Sequence, residues 1–471
     1  MPTTTGIAMH ESLTRDHAQL PDLLEMASAY AVGVVSGIDS RAVAMSPQVF
    51  ESQAIPTNGK GCQAVLQRFS SEIAPFLSAS TGPRYLGFVT GGATPAAIVG
   101  DWLATVFDQN TATRFDGSVA VQVERETIAM LRHLFRLPEC FTGSFVSGAT
   151  MSNFVGLALA REWAGRAHGI RVSDVGIAGM PPLSILAATP HSSVTKAMSM
   201  AGIGRDAWKK IPCQPGREVM DVLELERLLA STDGPCVVVA SAGTVNTGDF
   251  DDFSAIERLK RRYSFWLHVD AAFGGFASLS PRLESLLSGW ECADSICVDL
   301  HKWLNVPYDS AVAFTRHRAL QVDVFLNAAP YLGHASDDPD PVHLTPENSR
   351  RWRALPAWFT LAAYGVDGYR EIVERTCSLA RSLGERIEAS NLFKLLAPVR
   401  LNIVCFALRE RRLHDRFISA VRDSGRTFLT PTVLFEQPAI RAAFSNWRTT
   451  QTDLDVVWDE LATAAERAVR A

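Results

Sequence analysis

A lysine in an unusual place is the first sign of chemistry. Ser295-Ile-Cys-Val-Asp-Leu-His-Lys-Trp303 closes an apolar run with Asp299, His301 and Lys302, and Trp303 follows at once. Lysine normally avoids such surroundings. Burial lowers the pKa of an amine, which makes Lys302 a candidate for Schiff-base chemistry with a carbonyl. His268-Val-Asp-Ala-Ala-Phe-Gly-Gly275 ends a second apolar run in Asp270, which could serve a site or simply cap the next turn. Phe145-Val-Ser-Gly-Ala-Thr-Met-Ser-Asn153 passes from a strand through small residues into a helix. Free N–H groups there, with the Ser147 or Thr150 hydroxyl, could hold a phosphate; a plain N-cap is the simpler reading. Pro190-His-Ser-Ser-Val194 sets His191 after a further strand, where a lone histidine is more often structural.

The elements that must position these residues are legible around them. Apolar runs at Gly143–Val146, Leu183–Ala188, Cys236–Ala240, Phe265–Val269, Ser295–Val298 and Ala311–Phe314 read as strands. Helical patterns at Met151–Arg166, Val194–Ala201, Val222–Leu229 and Phe253–Arg262 lie between several of them. Continuous apolar strands alternating with amphipathic helices imply an α/β domain whose mostly parallel sheet is buried on both faces. Ligands of such sheets gather at the carboxyl ends of the strands, where all four motifs lie. The segment Asn327–Asn348 has no apolar period and reads as a functional loop. Helical runs at Leu355–Tyr369 and Glu371–Ser390 and a last helix near Asp453–Arg470 follow it.

Composition excludes several classes. With 471 residues, 47% of them hydrophobic, the chain can bury a large core in two or three units. A net charge of -5 and scattered basic residues leave no nucleic-acid footprint. The cluster Ser349-Arg350-Arg351-Trp352-Arg353 reads either as a solvated face or as a device for positioning a loop or substrate. No apolar stretch is long enough for a membrane span, no signal peptide is evident and no metal site is expected. Eight cysteines without a CxxC pair read as buried thiols in a reducing compartment, so a cytoplasmic location is expected.

One cofactor suits all four motifs together. Pyridoxal 5′-phosphate (PLP) needs an anion cradle, a lysine for its aldehyde, a carboxylate at its pyridine nitrogen and a flat group over its ring. In this order of motifs the chain resembles the group II PLP-dependent decarboxylases of fold type I, especially the aromatic-L-amino-acid decarboxylase branch and its bacterial relatives. Pro83-Arg-Tyr-Leu-Gly-Phe88, Gly92-Ala-Thr-Pro-Ala-Ala97, Asp108-Gln-Asn110, Ala187–Ala197, Ser241–Gly248, Asp299–Ser310 and Phe444-Ser-Asn-Trp-Arg-Thr-Thr450 carry the resemblance, which covers nearly the whole chain. Met151 stands where the family commonly has an acidic residue, and Leu300 where many members have proline or alanine.

The resemblance implies an N-terminal helical segment over 1–82, a large PLP-binding domain over 83–355 and a small α+β domain over 356–471. It implies that Lys302 carries the cofactor as a Schiff base, that Asp270 pairs with the pyridine N–H and that His191 stacks on the ring. Ala149, Thr150 and His301 would help hold the phosphate, with Thr244, Ala272 and Asp299 in the same cofactor-binding set. Tyr331 matches the loop tyrosine that protonates the substrate Cα after CO₂ leaves. In the family that loop reaches toward a partner subunit, so a homodimer with a composite site is implied. Ser349 falls where the family varies a residue thought to shape the substrate pocket. The expected activity is decarboxylation of an L-amino acid, aromatic by closest resemblance. A PLP-dependent aldehyde synthase or another PLP lyase is the rival reaction, and phenylalanine at the Tyr331 position would accompany aldehyde formation. An inactive binding protein of the same fold is opposed by the joint retention of Lys302, Asp270, His191 and Tyr331.

Overall fold

The computed structural model describes residues 9–46, 48–49, 51–52, 54–328 and 338–470. Seven strands form the main sheet: β1 (Thr142–Val146), β2 (Ser184–Ala187), β3 (Trp208–Lys210), β4 (Cys236–Ser241), β5 (Trp266–Asp270), β6 (Ser295–Asp299) and β7 (Ala311–Thr315). Their order is β1-β7-β6-β5-β4-β2-β3. β7 runs antiparallel to both neighbours, and the other pairs are parallel. All five residues of β5, β6 and β7 are buried, which is why these strands read as unbroken apolar runs rather than alternating ones. The helix Ala149–Arg166 crosses one face and is buried nearly all round, down to Ser152, Asn153 and Glu162.

A second sheet of four antiparallel strands closes the chain: β8 (Phe393–Leu395), β9 (Ile403–Leu408), β10 (Thr430–Leu434) and β11 (Gln437–Ala443), ordered β10-β11-β9-β8. Leu383, Phe393, Phe406, Phe417 and Leu461 build its own core with the helices Ala354–Ala389, His414–Ser424 and Gln451–Arg470. The two helical runs expected from residue 355 onward together span Ala354–Ala389 and meet at a kink at Gly365, where φ is 59°, rather than near residue 370. The architecture is the α/β arrangement expected: a mostly parallel sheet flanked by helices, helices at the N-terminal side and a small α+β unit.

Two expectations change in detail, and one strand was not foreseen. The Arg350 side chain is fully buried and paired with Glu124 at 3.0 Å, with further bonds to the carbonyls of Thr111 and Phe145. A solvated face therefore describes only Ser349 and Arg351, which meets Asp101; Trp352 is buried, and Arg353 is mostly covered and meets Asp309. Four cysteines are buried, yet Cys62 and Cys140 are exposed; all eight are free thiols. The three residues of β3 carry two exposed lysines, so this edge strand shows no apolar run. Among the described residues no helix is long and apolar enough to cross a membrane.

Candidate active site

The carboxyl ends of β1, β2, β4, β5 and β6 open together onto a cavity of about 320 Å³. Ala149, Thr150, His191, Thr244, Asp270, Ala272, Asp299, His301 and Lys302 all line it. Tyr331 lies outside the described residues. Ser349 is exposed and is not part of the described lining.

Lys302 is fixed from three directions. Trp303 is fully buried and its indole N–H donates to Thr376 Oγ1 at 3.1 Å. Asn305 donates to the carbonyls of Trp303 and Ser445 and accepts from the Trp447 amide, tying the lysine turn to the C-terminal motif. Gly91 lies so close behind that a Cβ there would stand 1.7 Å from the Lys302 carbonyl oxygen, so only glycine fits. The Nζ itself is 3.0 Å from Asp299 Oδ2. Burial works to lower the amine's pKa, but the negative charges of Asp299 and Asp270 outweigh it, and the net direction is upward. The lowered pKa expected from burial alone is thus reversed by two carboxylates the sequence placed nearby without showing their distance.

Asp299 reaches both ways. Its Oδ1 accepts from the Ala149 amide at 2.6 Å, and no side chain of the Ser147–Thr150 turn caps that helix. His301 Nε2 is 3.6 Å from the same oxygen. The His301 ring packs at a tilt against Tyr308 with centroids 4.4 Å apart, and burial pushes its pKa down. His191 caps the helix Ser192–Met200, its Nδ1 2.7 Å from Ser193 Oγ. Burial lowers its pKa too, against the pull of Asp270, so its face is that of a neutral imidazole. One oxygen of Asp270 accepts from the Ala272 amide at 3.2 Å and caps its own turn; the other faces Asn153 at 3.2 Å. Thr244 bonds within its own loop, to Thr247 Oγ1 and the Asp249 amide.

Sequence reasoning missed Arg441 and Phe88, which also line the cavity. Arg441 on β11 is 7% exposed; its Nη1 donates to the Val245 carbonyl at 2.7 Å, while its Nε is buried without a partner. The signal was a single arginine inside the apolar run Ala439-Ile-Arg-Ala-Ala443. Phe88 sits within a quoted motif, 56% exposed and with φ of 55°.

An amine, a buried carboxylate on the neighbouring strand, a flat neutral imidazole and a helix N-terminus thus converge on one cavity, the donor set that PLP requires. Comparison with known proteins agrees. The model of the pyridoxal-dependent decarboxylase conserved domain matches residues 47–409. An aromatic-L-amino-acid decarboxylase from Bacillus atrophaeus is 26% identical over 88% of each chain. The crystal structure of Oryza sativa TDC with PLP and tryptamine superposes with a TM-score of 0.88 at 21% identity, covering 96% of this chain and 98% of that one. Rhodiola rosea 4-hydroxyphenylacetaldehyde synthase superposes with a TM-score of 0.85 at 20% identity, covering 96% and 98%.

Proposed function

The chain belongs to the pyridoxal-dependent decarboxylase family, a PLP enzyme that decarboxylates an amino acid, and we propose that its substrate is an aromatic L-amino acid, released as the amine and CO₂. The observation that carries the reading is the placing of Lys302 and Asp270 at the ends of adjacent parallel strands, both facing one cavity. The aromatic substrate rests on the relatives' specificity, as in the decarboxylase from Bacillus atrophaeus.

When bound, PLP supplies an aldehyde for the substrate amine and a ring that accepts the electron pair freed by the departing carboxylate. The chain's own residues do the rest. Lys302 would hold the cofactor aldehyde, and Asp299 Oδ2, 3.0 Å from its Nζ, is placed to take its proton. Asp270 would keep the ring nitrogen protonated, since an opposing charge in a dry site favours the cation. His191 would offer the ring a flat, neutral face. Ala149, Thr150 and His301 would hold the phosphate at the start of the helix Ala149–Arg166, aided by its dipole, with Thr244 and Ala272 in the wall. Arg441, a buried cation on the cavity wall, would receive the substrate carboxylate. Tyr331 delivers the proton to Cα. The lysine, carboxylate, histidine and tyrosine together oppose the reading of an inactive binding protein.

The functional unit is a homodimer. The helices Glu11–Ala18 and Leu20–Ser36 bury only Leu23 between them, leaving Leu13, Leu24 and Val32 exposed, Val32 beside exposed Val99 and Trp102. An apolar patch of this kind on a large enzyme calls for a covering surface, and a second copy supplies one. Free thiols throughout fit a cytoplasmic enzyme.

Incubation of PLP-loaded protein with a panel of L-amino acids, with mass spectrometry of products and parallel CO₂ and ammonia assays, tests the reading. CO₂ with the matching aromatic amine is expected. Aldehyde and ammonia would replace it with the synthase reaction, and amine from acidic or small substrates alone would remove the aromatic assignment.

A further inference from the structure

Behind Asp270 runs a file of buried polar groups that the reaction does not touch. The Trp266 indole N–H donates to Ser295 Oγ at 3.0 Å. Ser295 Oγ lies 2.8 Å from His268 Nδ1, and His268 Nε2 lies 2.8 Å from Asn153 Oδ1. Asn153 Nδ2 then reaches Asp270 Oδ2 at 3.2 Å and Ser193 Oγ at 3.0 Å. Ser193 Oγ in turn is 2.7 Å from His191 Nδ1. His268 and Asn153 are fully buried, and Trp266, Ser295 and Ser193 are at most 5% exposed.

Chemistry at the two ends fixes every link between them. An indole N–H can only donate and an ionised carboxylate can only accept. The Asn153 atom facing Asp270 is therefore its NH₂, so its carbonyl oxygen faces His268 and must receive a proton from Nε2. That leaves Nδ1 as acceptor, which the Ser295 hydroxyl satisfies while its oxygen takes the Trp266 N–H. All donors point toward the cofactor side, and the second Asn153 N–H points to Ser193, which is free to donate to His191. One amide thus holds both the acid expected at the ring nitrogen and the imidazole expected on the ring face.

The chain gives up helix stability to make room for this file. Gly156 sits inside the helix Ala149–Arg166, where glycine costs ~1 kcal/mol relative to alanine. A Cβ at that position would stand 2.5 Å from His268 Nδ1 and 3.0 Å from Ser295 Oγ. The ring of His268 occupies the space a side chain would need.

We propose that Asn153 and His268 are positioning residues that hold Asp270 ionised and aimed at the cofactor, so that the proton it shares with the pyridine nitrogen stays on the ring. The proposal rests on Asp270 being the partner of that nitrogen. A hydrogen bond to the charged form of a carboxylate favours that form, so loss of the Asn153 N–H moves the shared proton toward Asp270. The other charged or titratable groups facing Asp270 are His191, Cys297, Asp299 and Lys302; none of them donates to its carboxylate among the described residues. His268 stays neutral, since burial pushes its pKa down to about 4, so the file delivers a dipole rather than a charge.

The test loads wild-type protein, Asn153→Leu, His268→Leu, His268→Gln and Asp270→Asn with PLP labelled with ¹⁵N in the ring, and reads the nitrogen signal by NMR with the dissociation constant for PLP. In wild type the signal stands at the protonated position. In both leucine variants it moves toward the unprotonated position, and PLP binds about tenfold more weakly, the effect of one hydrogen bond to a charged group. His268→Gln, whose amide can offer an N–H to Asn153, keeps the wild-type signal. The two leucine variants lie on different elements, so one reports if the other fails to fold. An unmoved signal in both, while Asp270→Asn shifts it, overturns the positioning role; weaker binding with an unmoved signal does the same, leaving only packing. An unmoved signal in Asp270→Asn instead removes Asp270 from the nitrogen and the proposal with it.

Discussion

Arg441→Leu separates substrate binding from cofactor binding. Arg441 reaches the cavity from β11, a strand of the second sheet, and is buried with one described bond, to the Val245 carbonyl. Burial lowers its pKa from the ordinary value, opposed by Cys405 and Glu218, but a guanidinium stays charged at any working pH. A cation this deeply buried on the cavity wall, with no carboxylate paired to it among the described residues, is poorly compensated until an anion arrives. Two charge-assisted bonds to a substrate carboxylate in a site shielded from water contribute about 3–4 kcal/mol, a factor of ~10²–10³ in kcat/KM. Leucine also strips the Val245 carbonyl of its partner, at about 1 kcal/mol of stability. Steady-state kinetics on the preferred amino acid, together with PLP titration by absorbance, reads both effects. The expected result is a loss of kcat/KM in that range with PLP affinity changed less than about threefold. Unchanged kcat/KM, or a loss confined to PLP affinity, would refute the assignment and place the arginine in the cofactor wall.

Lys302→Ala is expected to give protein that borohydride cannot fix to PLP; a retained covalent adduct would move the aldehyde to another residue. Tyr331→Phe is expected to lower amine yield and raise aldehyde and ammonia, and an unchanged product ratio would remove Tyr331 from proton delivery. His268, buried with a pKa near 4 against the ordinary 6.5, makes stability fall with acidification, because the unfolded chain takes its proton first. Between pH 6.5 and 4 the loss is on the order of 3 kcal/mol, and urea midpoints of wild type and His268→Gln at both ends measure it; an equally steep decline in the variant would assign it to other groups. Arg350→Met strands the buried Glu124 carboxylate and is expected to cost about 3–5 kcal/mol, recovered in part by adding Glu124→Gln.

The central strands were legible because burial on both faces fills them largely with apolar residues: Cys236-Val-Val-Val-Ala cannot be mistaken for a surface element. The chemistry was legible for the opposite reason. Asp270, Asp299 and Lys302 break apolar runs at their carboxyl ends, and a charge in that position is costly unless it is used. What stayed hidden depends on distances across the sequence. Lys302 looked like an amine with a lowered pKa because the sequence shows its apolar neighbours but not the Asp299 oxygen at 3.0 Å. Arg350 looked half like surface because Glu124, its partner, lies far away in the chain. Asn153 carried no signal beyond a polar residue early in a helix.

These non-local partners also explain why the conspicuous motifs recur as separate islands. The lysine turn is held by Gly91 behind it, Thr376 beside Trp303 and Ser445 with Trp447 around Asn305, so three distant segments constrain one side chain. Trp447 in turn donates its indole N–H to the Ala93 carbonyl, and Ser445 Oγ donates to the Thr90 carbonyl. The segment after Gly82, the lysine turn and the stretch after β11 therefore form one contiguous scaffold, although about 350 residues separate its ends. A change in any of the three alters where the Lys302 amine stands relative to Asp270, and a shift of about 1 Å at a reacting centre can cost ~10²-fold in rate. Constraint on the position of one nitrogen atom, rather than contact with substrate, is sufficient reason for residues such as Asn305 and Trp447 to be what they are.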